Sequence, residues 1–300
     1  MVSEGFENRD GLIWYDGQMV EWQQVNLHVL THALHYASCV FEGERVYSGK
    51  IFKLRAHTER LVNSARILGF EIPYSLDEID TACIQACETN GIVDGYVRPV
   101  AWRGSESMGV SAQNTKIHLA IAVWPWPSYF SPEARLKGIR LKTSKWRRPP
   151  PESAPVHAKA AGLYMICTMS KHEAELDGYD DALMLDWRGY VAEGTGANIF
   201  MVMPDGNIPP PPPDCFLNGI TRQSVIEIAK EKGFKIVERH IEPSEISDAR
   251  EIFVTGTAAE VTPVGEIDGL QITVGEITRT LMREYDKLVG KKPEDEASAA

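Results

Sequence analysis

Two periodicities alternate along the chain. Residues 11–15 and 18–22 read as strands flanking Asp16-Gly17, a tight-turn pair, which predicts a hairpin. A second hairpin is expected from 45–47 and 50–54 around Ser48-Gly49. In 56–68, Leu61, Ala65 and Leu68 recur at helical spacing. Ser75 precedes a second helical stretch, 76–88, and Glu78 completes the pattern of a capping box. The apolar runs 96–102 and 117–124 read as buried strands. Residues 125–134 mix proline, serine and aromatics and read as a connection between domains. Beyond it, strands are expected at 139–143, 182–186, 199–203, 234–239 and 251–255, and helices at 160–176, 221–232 and 274–289. The proline run 209–213 cannot donate backbone hydrogen bonds and predicts a short polyproline II strut on the surface. Strands dominate both halves and helices cluster, which predicts an α+β class.

Three hundred residues suit two domains of roughly 150 each. The expected boundaries are an N-terminal α/β domain over 1–126, an interdomain loop over 127–137, a C-terminal domain over 138–290 and a disordered tail over 291–300. The apolar runs fall short of the roughly 20 residues of a membrane helix. The first ten residues are polar and acidic, unlike a secretory signal. A cytoplasmic protein without a membrane partner is expected. The net charge of −11 disfavours nucleic acid but leaves room for an anionic ligand in a locally cationic pocket. Five cysteines, odd in number and irregular in spacing, fit reduced thiols. Cys83 and Cys87 are expected on one helical face as small buried side chains. No further ligands lie in sequence reach, so no metal site is expected.

Four segments carry candidate chemistry. Lys159 lies in Pro155-Val-His-Ala-Lys-Ala-Ala-Gly162 among small apolar neighbours. Desolvation there favours the neutral, nucleophilic amine, although most lysines are solvated surface charges. Glu193 ends a strand and enters Gly194-Thr-Gly-Ala-Asn198, a bend that suits close approach to a flat ligand and equally suits a solvated carboxylate. Leu217-Asn-Gly-Ile-Thr-Arg222 places glycine and threonine where a helix begins, either as a phosphate cup or as an ordinary N-cap. Thr255-Gly-Thr-Ala-Ala-Glu260 follows a strand and offers more N–H donors. No Walker or dinucleotide glycine pattern is present, so nucleotide binding is not favoured.

Taken in order, these segments resemble the class IV, fold-type IV pyridoxal-phosphate aminotransferases, and within them the branched-chain amino acid aminotransferases. The anchoring phrases are His32-Ala-Leu-His-Tyr36, Val40-Phe-Glu-Gly43, Tyr96-Val-Arg98-Pro, Met108-Gly-Val110, Ala158-Lys-Ala160, Glu193-Gly-Thr-Gly-Ala-Asn198, Gly219-Ile-Thr-Arg222 and Gly256-Thr-Ala-Ala-Glu-Val-Thr-Pro263. They span nearly the whole chain, from Trp14 to Tyr285. The resemblance implies a two-domain fold with pyridoxal 5'-phosphate between the domains, the C-terminal domain binding most of the cofactor. It implies ping-pong transamination of Leu, Ile and Val with 2-oxoglutarate through a Lys159 Schiff base. Lys159 is also expected to shuttle the proton at Cα. Glu193 is expected to pair with the pyridine nitrogen, supported by Asn198, and Tyr164 to bond the ring oxygen. Arg60, Ile220, Thr221, Gly256 and Thr257 are expected around the phosphate. For the substrate, Tyr36, Phe41, Trp126 and Tyr129 are implied as aromatic walls. Tyr96 with Gly256, Ala258 and Ala259 is implied for the α-carboxylate, and Arg98 for the distal carboxylate of glutamate. A switchable or screened Arg98 would let one pocket take both apolar and acidic side chains. Val110 is expected to reach a neighbouring subunit's site, which implies at least a homodimer and leaves a hexamer open.

Two departures from the family pattern stand out. Glu44 occupies a position expected to be apolar, where a charge would trim the pocket or broaden it toward amines. Arg147-Arg148-Pro-Pro-Pro151 is unusually proline-rich. Alternatives on the same fold are a D-amino acid aminotransferase, an (R)-amine transaminase and an aminodeoxychorismate lyase. From another class, a binding or regulatory protein that lost the chemistry also shares the fold, but no expected cofactor residue is missing.

Overall fold

The computed structural model describes residues 5–126 and 132–291. It divides into two compact units: Met1–Pro127 with Ala158–Gly162, and Ser128–His157 with Leu163–Ala300.

The first unit is built on antiparallel strands β1 (Leu12–Tyr15), β2 (Gln18–Glu21), β3 (Cys39–Phe41), β4 (Glu44–Tyr47), β5 (Lys50–Ile51), β6 (Gly95–Arg103) and β7 (Ile117–Pro125). Their order is β2-β1-β7-β6-β4-β5, with β3 also on β6. Both expected hairpins form. Asp16 and Gly17 adopt φ of 46° and 93°, and Ser48 and Gly49 adopt 48° and 78°, the left-handed geometry of tight hairpin turns. A short helix, α1 (His32–Tyr36), has no counterpart among the expected elements. Helices α2 (Leu54–Ile67) and α3 (Leu76–Thr89) match the helical periodicity, and Ser75 and Glu78 cap α3 reciprocally. Their apolar stripes meet one face of the sheet. Leu61, Ala65, Ile79, Ala82, Cys83, Ala86 and Cys87 share a core with Val40, Val46, Val97, Ala101, Leu119 and Ile121.

Ala158–Gly162 joins this unit, whereas the sequence places it inside the expected domain 138–290. Val40 bridges to Ala160. The Phe41 N–H donates to the Lys159 carbonyl at 3.1 Å, and the Lys159 N–H donates to Ser64 Oγ at 3.0 Å. These pairings extend the strand edge in a way that sequence separation conceals.

The second unit holds β8 (Ile139–Arg148), β9 (Asp181–Asp186), β10 (Val191–Gly194), β11 (Asn198–Val202), β12 (Glu251–Gly256), β13 (Glu260–Ile267) and β14 (Leu270–Gln271). Its strands run β12-β11-β10-β9-β8-β13-β14, and β13 also pairs with β12, closing a ring that leaves few edges exposed. β8 runs parallel to β9 and β13. Ile139, Leu141, Leu183, Val191, Ile199, Met201, Val254 and Val264 fill its core. Helices α4 (Pro132–Lys137), α5 (Tyr164–Leu176), α6 (Ile220–Glu231) and α7 (Glu276–Leu288) complete the unit.

Several expectations change here. The helix expected from residue 160 begins at Tyr164, after a 3-10 turn at Ala161–Leu163. Residues 234–239 are not a strand; Ile236 makes only a single bridge, to Ile208. Pro209, Pro210 and Pro211 are buried rather than a surface strut. Prolines cannot donate but can accept: Pro210 O takes the Arg239 N–H at 3.4 Å, and Pro211 O takes Arg222 Nη2 at 3.1 Å. β13 is hidden in the sequence because Pro263 and Gly265 interrupt its pattern. Of the expected interdomain loop, 127–131 lies outside the described residues and Pro132–Lys137 is helical. The expected tail lies outside them beyond residue 291. Among the described residues, no helix is long and apolar enough to cross a membrane.

Candidate active site

In the first unit the candidate residues gather at the β3–β6 edge. Hydrogen bonding to Phe41 and Ser64 fixes the Lys159 backbone, and its half-buried side chain brings Nζ 5.0 Å from the Phe41 ring centroid. Ala158 and Ala160, both buried, hold the flanks. On β6, Tyr96 and Arg98 share a face by strand alternation. The Arg98 guanidinium lies 4.8 Å from the Phe41 centroid and 5.2 Å from that of Tyr96, and its Nη2 donates to the Tyr96 hydroxyl at 3.4 Å. Its Nε is buried without a hydrogen-bond partner among the described residues. The cation is thus screened by two aromatic faces, which lowers the penalty of an apolar neighbour. Trp126 stands 4.8 Å from Tyr96, centroid to centroid. Gly43 is needed here: a Cβ would lie 1.9 Å from the Tyr96 hydroxyl.

Not every implied wall residue joins this cluster. Tyr36 ends α1, 42% exposed, stacked on His32 at 4.6 Å. Val110 is 86% exposed, on a loop held where His32 Nε2 meets Gly109 O at 2.8 Å. Tyr129 lies outside the described residues.

Beneath the lysine lies a charged network that sequence reading missed. Arg60 donates from Nε and Nη2 to Glu42 at 2.6 and 2.8 Å, and His57 Nδ1 lies 2.7 Å from the same carboxylate. Burial raises the Glu42 pKa, but the charge and hydrogen bonds of Arg60, then His57, outweigh it and hold the carboxyl well below the usual range. Burial lowers the His57 pKa against the pull of Glu42, so a neutral ring donates its Nδ1–H. Glu44 is also buried, in electrostatic reach of Asp80, Cys83 and Cys87. It pairs with Val97, a core residue, so it faces the helices and does not trim the substrate face as expected. A signal for the network was present: Glu42 is an acid directly after the apolar run Val40-Phe41, and His57 and Arg60 share a helical face.

The second unit presents the other half of the expected constellation. Glu193 and Asn198 pair across the β10–β11 hairpin. Asn198 Nδ2 donates to Glu193 Oε2 at 3.3 Å and to the Leu217 carbonyl at 3.0 Å, tying the carboxylate to the segment that leads into α6. Gly219 is the N-cap of α6 and offers no side-chain cap, so Ile220 and Thr221 begin a helix whose first N–H groups suit an anion. A Cβ on Gly219 would lie 2.2 Å from Asn198 Oδ1, so only glycine allows this packing. Gly256 ends β12 and lies close to Gly196: a Cβ there would meet the Gly196 carbonyl at 3.2 Å. Thr257, Ala258 and Ala259 form the turn into β13, and the Ala259 carbonyl accepts from Thr262 Oγ1 at 2.6 Å. Tyr164 is the first residue of α5. Another residue that sequence reading did not assign, Arg148, stands beside Glu193 with Nε 3.3 Å from Oε1.

The two units therefore carry complementary chemistry: a primary amine beside aromatic rings and a screened arginine in one, a held carboxylate and an uncapped helix start in the other. Comparison with known proteins agrees. The profile of the amino-transferase class IV family matches residues 39–267. A branched-chain-amino-acid aminotransferase of Pseudomonas aeruginosa is 45% identical over 297 residues, covering 97% of this chain and 96% of the relative. The crystal structure of the Escherichia coli branched-chain amino acid aminotransferase matches with a TM-score of 0.91 at 36% identity, over 95% of this chain and 97% of that one. The branched-chain aminotransferase of the archaeon Thermoproteus uzoniensis, solved with norvaline, matches with a TM-score of 0.90 at 38% identity, over 95% and 97%. With the family model matching residues 39–267 and a relative 45% identical over 97% of the chain, this chain belongs to the class IV aminotransferases.

Proposed function

We propose that this aminotransferase moves the amino group of leucine, isoleucine and valine to 2-oxoglutarate, in ping-pong half-reactions with pyridoxal 5'-phosphate as cofactor. The observation that carries the substrate class is Arg98 set between the Phe41 and Tyr96 rings in the cluster that holds Lys159. The rings suit branched apolar side chains, and the guanidinium suits the distal carboxylate of glutamate and 2-oxoglutarate. The family relatives named above act on branched-chain amino acids, and the D-amino acid alternative is not favoured.

The residues present fit the cofactor. Bound pyridoxal 5'-phosphate supplies a carbonyl that takes up the amino group and a ring that withdraws electrons from Cα. Lys159 is assigned to hold the cofactor and to move the proton at Cα. Glu193, steadied by Asn198, keeps a proton on the ring nitrogen, and Tyr164 orients the ring oxygen. Ile220, Thr221, Gly256 and Thr257 hold the phosphate by N–H and hydroxyl donors, with Arg60, braced by Glu42, adding a cation. Tyr96, Ala258 and Ala259 take the α-carboxylate, and Trp126, Tyr36 and Tyr129 line the side-chain pocket. Exposed Val29, Leu34 and Val110 support a homodimer, in which Val110 serves the neighbouring subunit's site. Five unbridged thiols accord with the cytoplasm.

Initial rates with 2-oxoglutarate test the reading. L-leucine should turn over far faster than D-alanine or (R)-1-phenylethylamine, and Lys159→Ala should abolish every rate. No rate with L-leucine sinks the substrate assignment; a rate surviving Lys159→Ala sinks the mechanism.

A further inference from the structure

Arg148 ends β8 with its side chain only 5% exposed. A guanidinium taken out of water costs several kcal/mol unless it is compensated, so a buried arginine in this position needs a partner. Its Nη1 donates to Cys167 Sγ at 3.5 Å. Its Nε lies 3.3 Å from Glu193 Oε1 but makes no well-formed hydrogen bond, so that contact is ionic. The titratable groups within its electrostatic reach are Glu193 on β10, Tyr164 and Cys167 on α5, and Cys215. Burial pushes the Cys167 thiol up to about 11 and the Cys215 thiol up to about 12, so neither offers a negative charge near neutral pH. Glu193 is the carboxylate in that set. Its other oxygen accepts from Asn198, so each oxygen has its own neighbour and the plane of the group is set from both sides.

We propose that Arg148 is a positioning residue for the cofactor ring: its guanidinium keeps Glu193 an oriented carboxylate that accepts the N–H of the ring nitrogen. The inference rests on the reading of Glu193 given above. Without the cation, a largely buried Glu193 competes for the proton it should leave on the ring, and the ring then withdraws electrons less well. Arg148 itself touches neither substrate nor reacting atoms. Lysine keeps the charge but not the planar fork, so it should restore the charge effect and only part of the orientation.

The test uses holoenzymes of the wild type, Arg148→Met, Arg148→Lys, Glu193→Gln and the Arg148→Met/Glu193→Gln double variant. Two readouts stand apart from turnover: visible absorbance as a function of pH, and the dissociation constant for pyridoxal 5'-phosphate added to apoenzyme. Arg148→Met should move the spectral midpoint by about one pH unit or more, the scale of a tenfold change in proton affinity. Arg148→Lys should return most of that shift. In the Glu193→Gln background, Arg148→Met should add nothing, because the two groups act as one unit. A midpoint unmoved in Arg148→Met, or moved equally with and without Glu193, overturns the proposal while leaving the role of Glu193 intact. Glu193→Gln with unchanged spectrum and cofactor affinity instead overturns the reading of Glu193, and the proposal falls with it. If Arg148→Met does not fold, Arg148→Gln is read by the same criteria.

Discussion

Glu42 and Glu44 lie two positions apart, and both are fully buried. Glu42 accepts from Arg60 and His57 on α2. Neither carboxylate oxygen of Glu44 has a hydrogen-bond partner among the described residues. Burial pushes both groups toward the protonated form. At Glu42 the arginine and histidine reverse that push, whereas at Glu44 the charges of Glu42 and Asp80 add to it. The result is one acid held in its charged form and one pushed toward its neutral form two positions away. Burial alone does not set a charge state; the partners do. Two acids whose environments drive them apart in this way usually mark functional ground, and Glu42 braces an arginine assigned to the cofactor phosphate.

Removing the charge of the partnered acid is the strongest way to break the contrast. Glu42→Gln takes away the charge that Arg60, its side chain 17% exposed, faces at 2.6 Å. Breaking a buried pair costs about 3–5 kcal/mol, and partial solvent access puts this one near about 3. A urea titration should show that loss. The pH dependence has a definite sign. The folded Glu42 pKa is depressed, so its contribution is present above the unfolded carboxylate pKa of about 4.3 and is lost as pH falls below it. The variant should lack that part of the acid limb. Equal stability of Glu42→Gln and wild type at neutral pH would show that the network contributes nothing.

Such partnerships mark the limit of what the sequence reveals. The hairpins, α2, α3 and their capping box follow from local pattern, because turn residues, helical spacing and caps act within a few positions. Lys159, Glu193, Asn198 and Gly219 stand out through motif wording; the structure sets Asn198 against Glu193, as that wording implies, and against Gly219, which the wording does not. Glu42 with Arg60, and Arg148 with Glu193, are pairings between elements separated in sequence by 18 residues or more. No local period encodes them. Ala158–Gly162 shows the same limit at the level of the fold, since its bridge to Val40 spans the whole middle of the chain. Proline misled twice: it masked β13, and it suggested a surface strut where buried carbonyls accept hydrogen bonds.

Gly219→Ala carries the comparison to the second unit. Glu193, with 12% of its side chain exposed, has Asn198 on one oxygen and Arg148 beside the other, where Glu42 has Arg60 and His57. The added methyl would stand 2.2 Å from Asn198 Oδ1, and Asn198 is itself 6% exposed with its amide committed to Glu193 and Leu217. Overpacking of that kind costs about 1–3 kcal/mol. We expect about 2 kcal/mol of lost stability and several-fold weaker cofactor binding, followed by titrating apoenzyme with pyridoxal 5'-phosphate. Unaltered affinity would mean that Asn198 does not couple Glu193 to the start of α6.

The smallest expected effect has the opposite direction. Glu44→Leu replaces an unpartnered acid with an apolar side chain among Val46, Cys83 and Cys87, at a site whose strand neighbour Val97 is already apolar. Leaving a buried polar group unsatisfied costs about 1–3 kcal/mol, so the variant should gain about 1–2 kcal/mol after repacking. The folded Glu44 pKa is raised, so the folded state keeps a proton that the unfolded chain releases above about pH 4.3. Stability in the wild type therefore falls as pH rises through that window. Leucine has no proton to hold, so the advantage of the variant should widen as pH rises above the unfolded carboxylate pKa of about 4.3 in paired urea titrations. A gap that stays constant would mean that Glu44 ionises normally in the fold. A variant less stable than wild type would mean that the acid has a partner, such as a buried water, that makes it as well served as Glu42.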